Sequence, residues 1–346
     1  MKELSRTIMD LARCQGASAV GVTTVDTLRG GPPSTDLTYV LPGAKSAVTF
    51  AVSLDQRLIE PYLMKKDHAT LERHIFHTNS FCSGIAQDLA GYLEMKGFKS
   101  VGVWANAYYR KDAPFGILGM LPDISHRYLA VRSGVGFFGL SGNVITKEAG
   151  AAVLLGTAVT TADLVPTAQL PKEESYCDSC KLCLASCASG FMDKEEKAQV
   201  TLGGVEFSYS KRRDYNRCNY VCGGFSGLHS SGKWSTWSPG RFAIPKKDEE
   251  FQPALLKALP LFDQWPKING GSYHPLLNTK LRVTCAHCQL ICTPDKEERK
   301  KRLKMITEAG VVVQNGDGSF EALSPEAAKK RIAAMSPEVR ALYEDG

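Results

Sequence analysis

The sequence lacks any apolar run long enough to span a bilayer. Its opening stretch, MKELSRTIMDLARCQG, breaks the apolar positions with Asp10 and Arg13, so it reads as an amphipathic helix and not as a secretory leader. No Walker loop occurs, and the glycines near residue 134 do not follow the G-x-G-x-x-G spacing of a dinucleotide fingerprint. A strong charge of one sign is also missing: 42 basic against 36 acidic residues leave a formal net charge of +6. That balance is weak evidence for a nucleic-acid partner.

Cysteine, by contrast, is plentiful, with 11 in 346 residues. In a chain this long they make a poor disulfide scaffold, which points to the cytoplasm, where thiols stay reduced. A hydrophobic fraction of 43% and a charged fraction of 23% are those of an ordinary soluble protein. The length suits one large domain plus a smaller one, or a single domain with a large insertion.

The first part reads as a mixed α/β domain over residues 1–165. ASAVGVTTVD, KSAVTFAVSL, KSVGVWAN and AAVLLGTAVTT have the character of strands, and a long helical pattern covers about 72 to 96. A short helix, SHRYLAVRSG, leads into VGFFGLSGN, whose Gly134, Gly136, Gly139 and Gly142 permit tight turns and close approach to a flat partner. From 166 to 300 lie nine of the cysteines, with long insertions over 219–284 rich in Gly, Ser, Trp and Pro that read as walls or a lid. Over 301–346, Ser-Pro-Glu at Ser324 and at Ser336 predicts two terminal helices, each with a capping serine and a proline in the first turn.

Cys177, Cys180, Cys183 and Cys187 form C-x2-C-x2-C-x3-C, and Cys285, Cys288 and Cys292 form C-x2-C-x3-C followed by Thr-Pro. Such runs wrap one cubane with three thiolates while the last ligates a neighbouring cluster. Two [4Fe-4S] clusters need eight ligands, and Cys218 or Cys222 supplies the eighth. At about −2 each, the clusters would bring the net charge near neutrality. Zinc knuckles offer two close cysteines each, so the tight run of four disfavours zinc. His287, inside the second motif, reads as solvent-facing or beside the ligands, and Cys14 and Cys82 as small buried hydrophobes. Fully ligated iron has no open position, so an enzyme built this way needs a second centre.

The order of parts, an α/β domain, then LAVRSGVGFFG, then CDSCKLCLASC and CAHCQLICTP, resembles the cobalamin-dependent epoxyqueuosine reductases and their relatives, the reductive dehalogenases. The resemblance covers roughly residues 1 to 300. It implies an α+β architecture, a nitroreductase-like corrinoid-binding domain joined to a ferredoxin-like module with two clusters. It also implies base-off cobalamin, with Arg132, Gly134, Gly136, Gly139 and Ser141 as binding residues. Cys177, Cys180, Cys183 and Cys292 would hold one cluster, and Cys187, Cys218, Cys285 and Cys288 the other. Reduced ferredoxin or flavodoxin is the implied electron donor.

The departures bear on the substrate. The place of the family's proton-donating aspartate is taken by Met120, its Glu-Arg pair by His126-Arg127 and its lysine by Leu140. These changes point away from queuosine chemistry and toward another small molecule. Tyr108, Tyr109 and Arg110, beyond the WAN strand end, and Asp123 and His126 are the candidate proton donors. Packing, capping or surface roles are the bland alternatives for each. The expected function is a cobalamin-dependent iron-sulfur reductase. Alternatives are a corrin-free electron-transfer protein and a tRNA epoxyqueuosine reductase, for which the basic runs KRRDYNR and KEERKKRLK would serve. The lack of a twin-arginine leader separates the chain from exported dehalogenases.

Overall fold

The computed structural model describes residues 1–104, 109–112, 121–262, 264–265 and 284–344, so Tyr108 and Met120 lie outside the described residues. Two compact units form, each from three stretches of chain. The first comprises Met1–Leu54, His74–Cys180 and Lys197–Ser210, the second Asp55–Arg73, Lys181–Glu196 and Lys211–Gly346.

In the first unit the strands are β1 (Ala19–Thr24), β2 (Ser46–Ser53), β3 (Ser100–Val103), β4 (Phe137–Phe138), β5 (Val144–Ile145) and β6 (Val153–Thr160). Four of them form a sheet in the order β1-β2-β6-β3, and β4 pairs with β5. Every pair is antiparallel, with Val22 opposite Val48, Thr49 opposite Thr157 and Gly102 opposite Ala158. The central β2 is buried almost throughout, because both of its faces are covered. Val48, Phe50 and Val52 meet Ile8 and Ala12 of the helix Lys2–Cys14 and Ile85, Leu89 and Leu93 of the helix Ala69–Met95. Ala47 faces the other way, with Val103, Val159, Ile124 and Leu129. Burying each larger side chain stabilises the unit by about 1.5–3 kcal/mol. An antiparallel sheet has no crossover switch point, so the rule that marked the loop after β3 does not apply here. Gly21 of β1 lets the helix His126–Arg132 end directly on the sheet, since a Cβ there would collide with the Ser133 carbonyl.

Strands β7 (Met192–Leu202) and β8 (Val205–Arg212) form a hairpin closed by Gly203 and Gly204. Both glycines have positive φ, 55° and 79°, as a two-residue type I′ turn requires. This hairpin accounts for much of the long spacing between Cys187 and Cys218.

The second unit contains the helices Ile59–Leu63, Leu182–Ala185, Tyr215–Cys222, Asp248–Phe262, His287–Leu290 and Lys296–Glu308. It also contains the hairpin β9 (Val311–Gln314) and β10 (Phe320–Leu323), which the sequence reading missed. The two tail helices are present as Pro325–Ala333 and Pro337–Glu344, and Ser324 and Ser336 accept the backbone N–H of Ala327 and Val339. The first Trp-rich insertion is packed core and not a lid. Trp234 and Trp237 are buried. Its backbone is tied to β9 by Gly240 N–H donating to the Val312 carbonyl and by Val312 N–H donating to Ser235 Oγ at 2.8 Å. Trp265 packs on Phe225 and lies 3.6 Å under the Arg241 guanidinium. No described helix is long and apolar enough to cross a membrane.

Candidate metal centre and catalytic residues

Cys187, Cys218, Cys285 and Cys288 all lie in the second unit. Asp214 caps the helix that carries Cys218, accepting the Asn216 N–H at 2.8 Å, and Cys222 follows one turn later on the same face. Burial pushes the Cys285 thiol up, the His287 amide opposes that, and Cys288, Cys218 and Cys187 each push it further up. Burial likewise raises Cys187, where Cys218 adds to the effect and the Ser189 hydroxyl and Phe191 amide oppose it. Phe191 N–H donates to Cys187 Sγ at 3.4 Å. The hydrogen bond to Cys222 is the main reason that the Cys218 thiol is raised, with burial second. Cys222 Sγ itself donates to the Cys285 carbonyl at 3.2 Å.

Among the described residues, no three His, Cys, Asp or Glu side chains converge closely enough to hold a single metal ion. Of the other quartet, Cys177 and Cys180 belong to the first unit and Cys183 and Cys292 to the second. Leu140 N–H, in the β4–β5 turn, donates to Cys177 Sγ at 3.3 Å. Ser179 and Lys181 take left-handed φ of 56° and 60°, which tightens the loop through this motif. His287 is buried, which excludes the solvent-facing alternative and leaves the place beside the second motif. Cys14 is exposed, against expectation, and Cys82 is buried, which pushes its thiol up to about 12.

In the first unit, an antiparallel bridge between Tyr109 and Pro122 brings Arg110 and Asp123 to one place. Arg110 is not a solvated loop charge. It is buried, forks onto Asp112 at 2.9 and 2.7 Å, donates to the Pro33 carbonyl at 2.8 Å and stacks 3.8 Å above Tyr39. Burial raises the Asp123 carboxyl while Arg110 lowers it, and Oδ1 is buried without a hydrogen-bond partner among the described residues. The helix cap is Ser125 and not Asp123.

His126 sits at the first position of that helix, with Nδ1 2.8 Å from Thr157 Oγ1, which is in turn 3.1 Å from Thr49 Oγ1. Burial pushes His126 down to about 4, against the opposing pull of the Trp104 backbone carbonyl. A ring N–H given to that carbonyl leaves Nδ1 to accept from Thr157, so both nitrogens of the neutral imidazole are satisfied. A histidine lowered by folding stabilises above its unfolded pKa of about 6.5, and that contribution disappears as pH falls toward 4. The advantage of the native chain over His126→Asn in urea unfolding should therefore shrink by on the order of 2–3 kcal/mol between pH 6.5 and 4. A pH-independent difference would contradict the neutral, half-buried ring.

The residues expected to contact a corrinoid are engaged by the fold itself. Gly134 has φ 78° and abuts the Ala168 carbonyl, and a Cβ at Gly136 would stand 2.6 Å from the Ile145 carbonyl oxygen. Gly139 donates to Asn143 in the β4–β5 turn, and buried Ser141 accepts the Asn143 N–H at 3.3 Å. Arg132 donates to the Leu202 carbonyl at 3.2 Å, and burial lowers it from its ordinary value.

No family model matches the chain. A curated epoxyqueuosine reductase of Atelocyanobacterium thalassa (isolate ALOHA) is 29% identical over 177 residues, which are 51% of this chain and 52% of that protein. The chain thus spans about half the length of the curated relative it matches. A catabolic reductive dehalogenase in complex with 3-bromo-4-hydroxybenzoic acid aligns with 97% of this chain and 37% of its own, at a TM-score of 0.50 and 12% identity. A selenomethionine-labelled epoxyqueuosine reductase covers 97% of this chain and 74% of its own, at a TM-score of 0.46 and 17% identity. The chain is similar to the epoxyqueuosine reductase and reductive dehalogenase superfamily, in sequence to the former and in fold to the latter.

Proposed function

We propose that the protein is an oxidoreductase, a reductase that receives electrons through two [4Fe-4S] clusters in a ferredoxin-like module and delivers them to a small-molecule substrate. The observation that carries this reading is the pair of cysteine motifs, with Cys187, Cys218, Cys285 and Cys288 all falling in one unit. Among the described residues no three His, Cys, Asp or Glu side chains form a single-ion site, and the cluster reading is supported by the C-x2-C-x2-C-x3-C and C-x2-C-x3-C spacing. The amide on Cys187 Sγ, and the amide on Cys177 Sγ in the other quartet, are the donors that stabilise thiolate ligands.

Cobalamin is the second cofactor of the proposal, carried by the resemblance alone, because its expected residues are occupied in packing. When bound, it would supply a strongly nucleophilic low-valent metal. Asp123 is the best-placed proton donor, since its carboxyl is raised by burial and retains one unpartnered oxygen. Arg110, locked onto Asp112 and Tyr39, positions the loop that carries Tyr109.

The name of the curated relative favours a second reading, a tRNA epoxyqueuosine reductase. The basic runs do not help it. Lys211 pairs with Glu196, Arg213 with Asp193, Lys300 with Glu297 and Arg302 with Glu298, so much of their charge is locally balanced. The same pairing weakens electrostatic steering of an acidic donor such as ferredoxin or flavodoxin.

Protein purified without oxygen and offered hydroxocobalamin is expected to hold about eight irons, with one cobalt per chain. Eight irons without cobalt would leave the electron-transfer protein as the surviving reading. Absence of iron would overturn the proposal.

A further inference from the structure

The outer part of the β7–β8 hairpin, Lys197–Ser210, belongs to the first unit, as does the segment 132–141 that the resemblance assigns to a corrinoid. Toward the tip, β7 alternates between covered and exposed residues, with Val200 and Leu202 buried and Gln199 and Thr201 exposed. On β8, Phe207 and Tyr209 are covered while Glu206 and Ser208 are exposed. Each strand therefore turns one face inward and gives the other to water. The inward residues join one core cluster with Ala130, Val131, Val135 and Val144. Leu202 is fully buried in it.

Polar contacts run along the same seam. Arg132 Nε donates to the Leu202 carbonyl at 3.2 Å, and Ser210 N–H donates to the Leu140 carbonyl at 2.8 Å. The Tyr128 and Tyr209 hydroxyl oxygens are 2.8 Å apart. The Phe138 ring lies 4.8 Å from Tyr209 and meets Phe207 edge-on at 6.2 Å. The tip is held separately, by Gly203 N–H donating to the Arg29 carbonyl at 2.9 Å. Two glycines make that approach possible. A Cβ at Gly203 would stand 2.6 Å from the Thr27 carbonyl oxygen, and one at Gly31 would stand 2.7 Å from the Leu202 side chain.

A corrin is a broad, flat ring that needs an open face and polar groups free to meet its rim. The segment 132–141 does not fit it. Gly134 and Gly136 press on the Ala168 and Ile145 carbonyls, and Ser141 is buried with its hydroxyl accepting from Asn143. The adjoining face of the helix His126–Arg132 is covered by Leu202 and Tyr209. An interior packed to this density has no room for a second occupant unless the first moves.

We infer that the β7–β8 hairpin is the occupant of this face, and that Arg132, Gly134, Gly136, Gly139 and Ser141 serve to seat it and do not hold a corrinoid. The residues that lengthen the chain between Cys187 and Cys218 thus build the hairpin that closes the face. This inference is independent of the iron-sulfur reading. A corrinoid, the second cofactor of that reading, would have to be held by other residues.

The test is hydrogen–deuterium exchange, read by mass spectrometry on the full chain, for the native protein with and without excess hydroxocobalamin and for Leu202→Ala. In the native chain, peptides covering 132–141 and 197–210 should both be protected, and neither should change when hydroxocobalamin is added. Leu202→Ala should speed exchange in both by at least about tenfold, since loss of a fully buried leucine loosens what it covers. If Leu202→Ala does not fold, Tyr209→Phe, which removes only the hydroxyl pair, is read in the same way, with an expected rise of about threefold. New protection of 132–141 by hydroxocobalamin, or loss of protection in 197–210 on its addition, would overturn the inference. Exchange in 132–141 that stays unmoved in the variant would overturn it too. Protection gained only in other peptides would support it and keep cobalamin in the proposed function with different binding residues. No response anywhere, in protein that holds iron, would support it and remove cobalamin from that function.

Discussion

Replacing Cys218 with alanine should remove about four of about eight irons, whereas replacing Cys222 should leave the iron content unchanged. The two cysteines sit one helical turn apart, and spacing alone cannot choose between them. Their surroundings overlap and differ in part. Cys218 acts electrostatically on both Cys187 and Cys285, as a fourth corner of one site would. Cys222 Sγ donates to the Cys285 carbonyl and is also hydrogen-bonded with Cys218, and the ligand role is expected of Cys218. Iron analysis and visible absorbance on the two purified variants decide the question. Loss of iron in Cys222→Ala with retention in Cys218→Ala would reverse the assignment, and retention in both would remove this helix from the site.

Replacing Arg217 with alanine should destabilise the protein by about 2–4 kcal/mol, because buried acceptors lose their donor and a cavity opens, while Asp248 is left half exposed to water. Arg217 precedes Cys218 in sequence and is 3% exposed. Its guanidinium donates to the Ser189 carbonyl at 2.9 Å and the Lys246 carbonyl at 2.7 Å, pairs with Asp248, and lies 4.7 Å over the Phe251 ring. Alanine would leave two carbonyls without their donor and open a cavity above Phe251. It would also release Ser189, whose hydroxyl is 3.5 Å from Cys187 Sγ. Iron retention on mild heating should therefore fall together with the unfolding midpoint. Lysine should rescue little, because one ammonium cannot satisfy three acceptors in the plane of a guanidinium. Urea unfolding of Arg217→Ala within about 0.5 kcal/mol of the native chain would refute this role.

Local signals in the sequence were read well, and pairings at a distance were not. Ser324 and Ser336 marked their helices because a capping serine followed by proline acts within one turn. Strands β2 and β6 announced themselves as apolar runs, but nothing in them gave the order β1-β2-β6-β3 or its antiparallel sense. The β7–β8 hairpin could have been found, since Gly203-Gly204 stands between KAQVTL and VEFSYS, two stretches of strand-like alternation. The turn from 315 to 319, with the sequence NGDGS, likewise marks the β9–β10 hairpin. Seven cysteines stood out through spacing, and the eighth stayed open between Cys218 and Cys222. His287 was singled out by its place in the motif, but its burial was not legible, because burial of a histidine is decided by distant segments such as the one carrying Trp234. The glycines near 134 invited a ligand, yet the closest approaches at Gly134 and Gly136 are to the chain's own carbonyls.

The alternation of the chain between its two units has a consequence for the order in which the protein is made. Cys187 is synthesised roughly a hundred residues before Cys285, an interval of about 5–20 s at ordinary elongation rates. During that interval the ligands of one site wait as free thiols on an unfinished unit. In the proposed reading a cluster could be inserted only near the end of synthesis or after it, once Cys285 and Cys288 have joined Cys187 and Cys218.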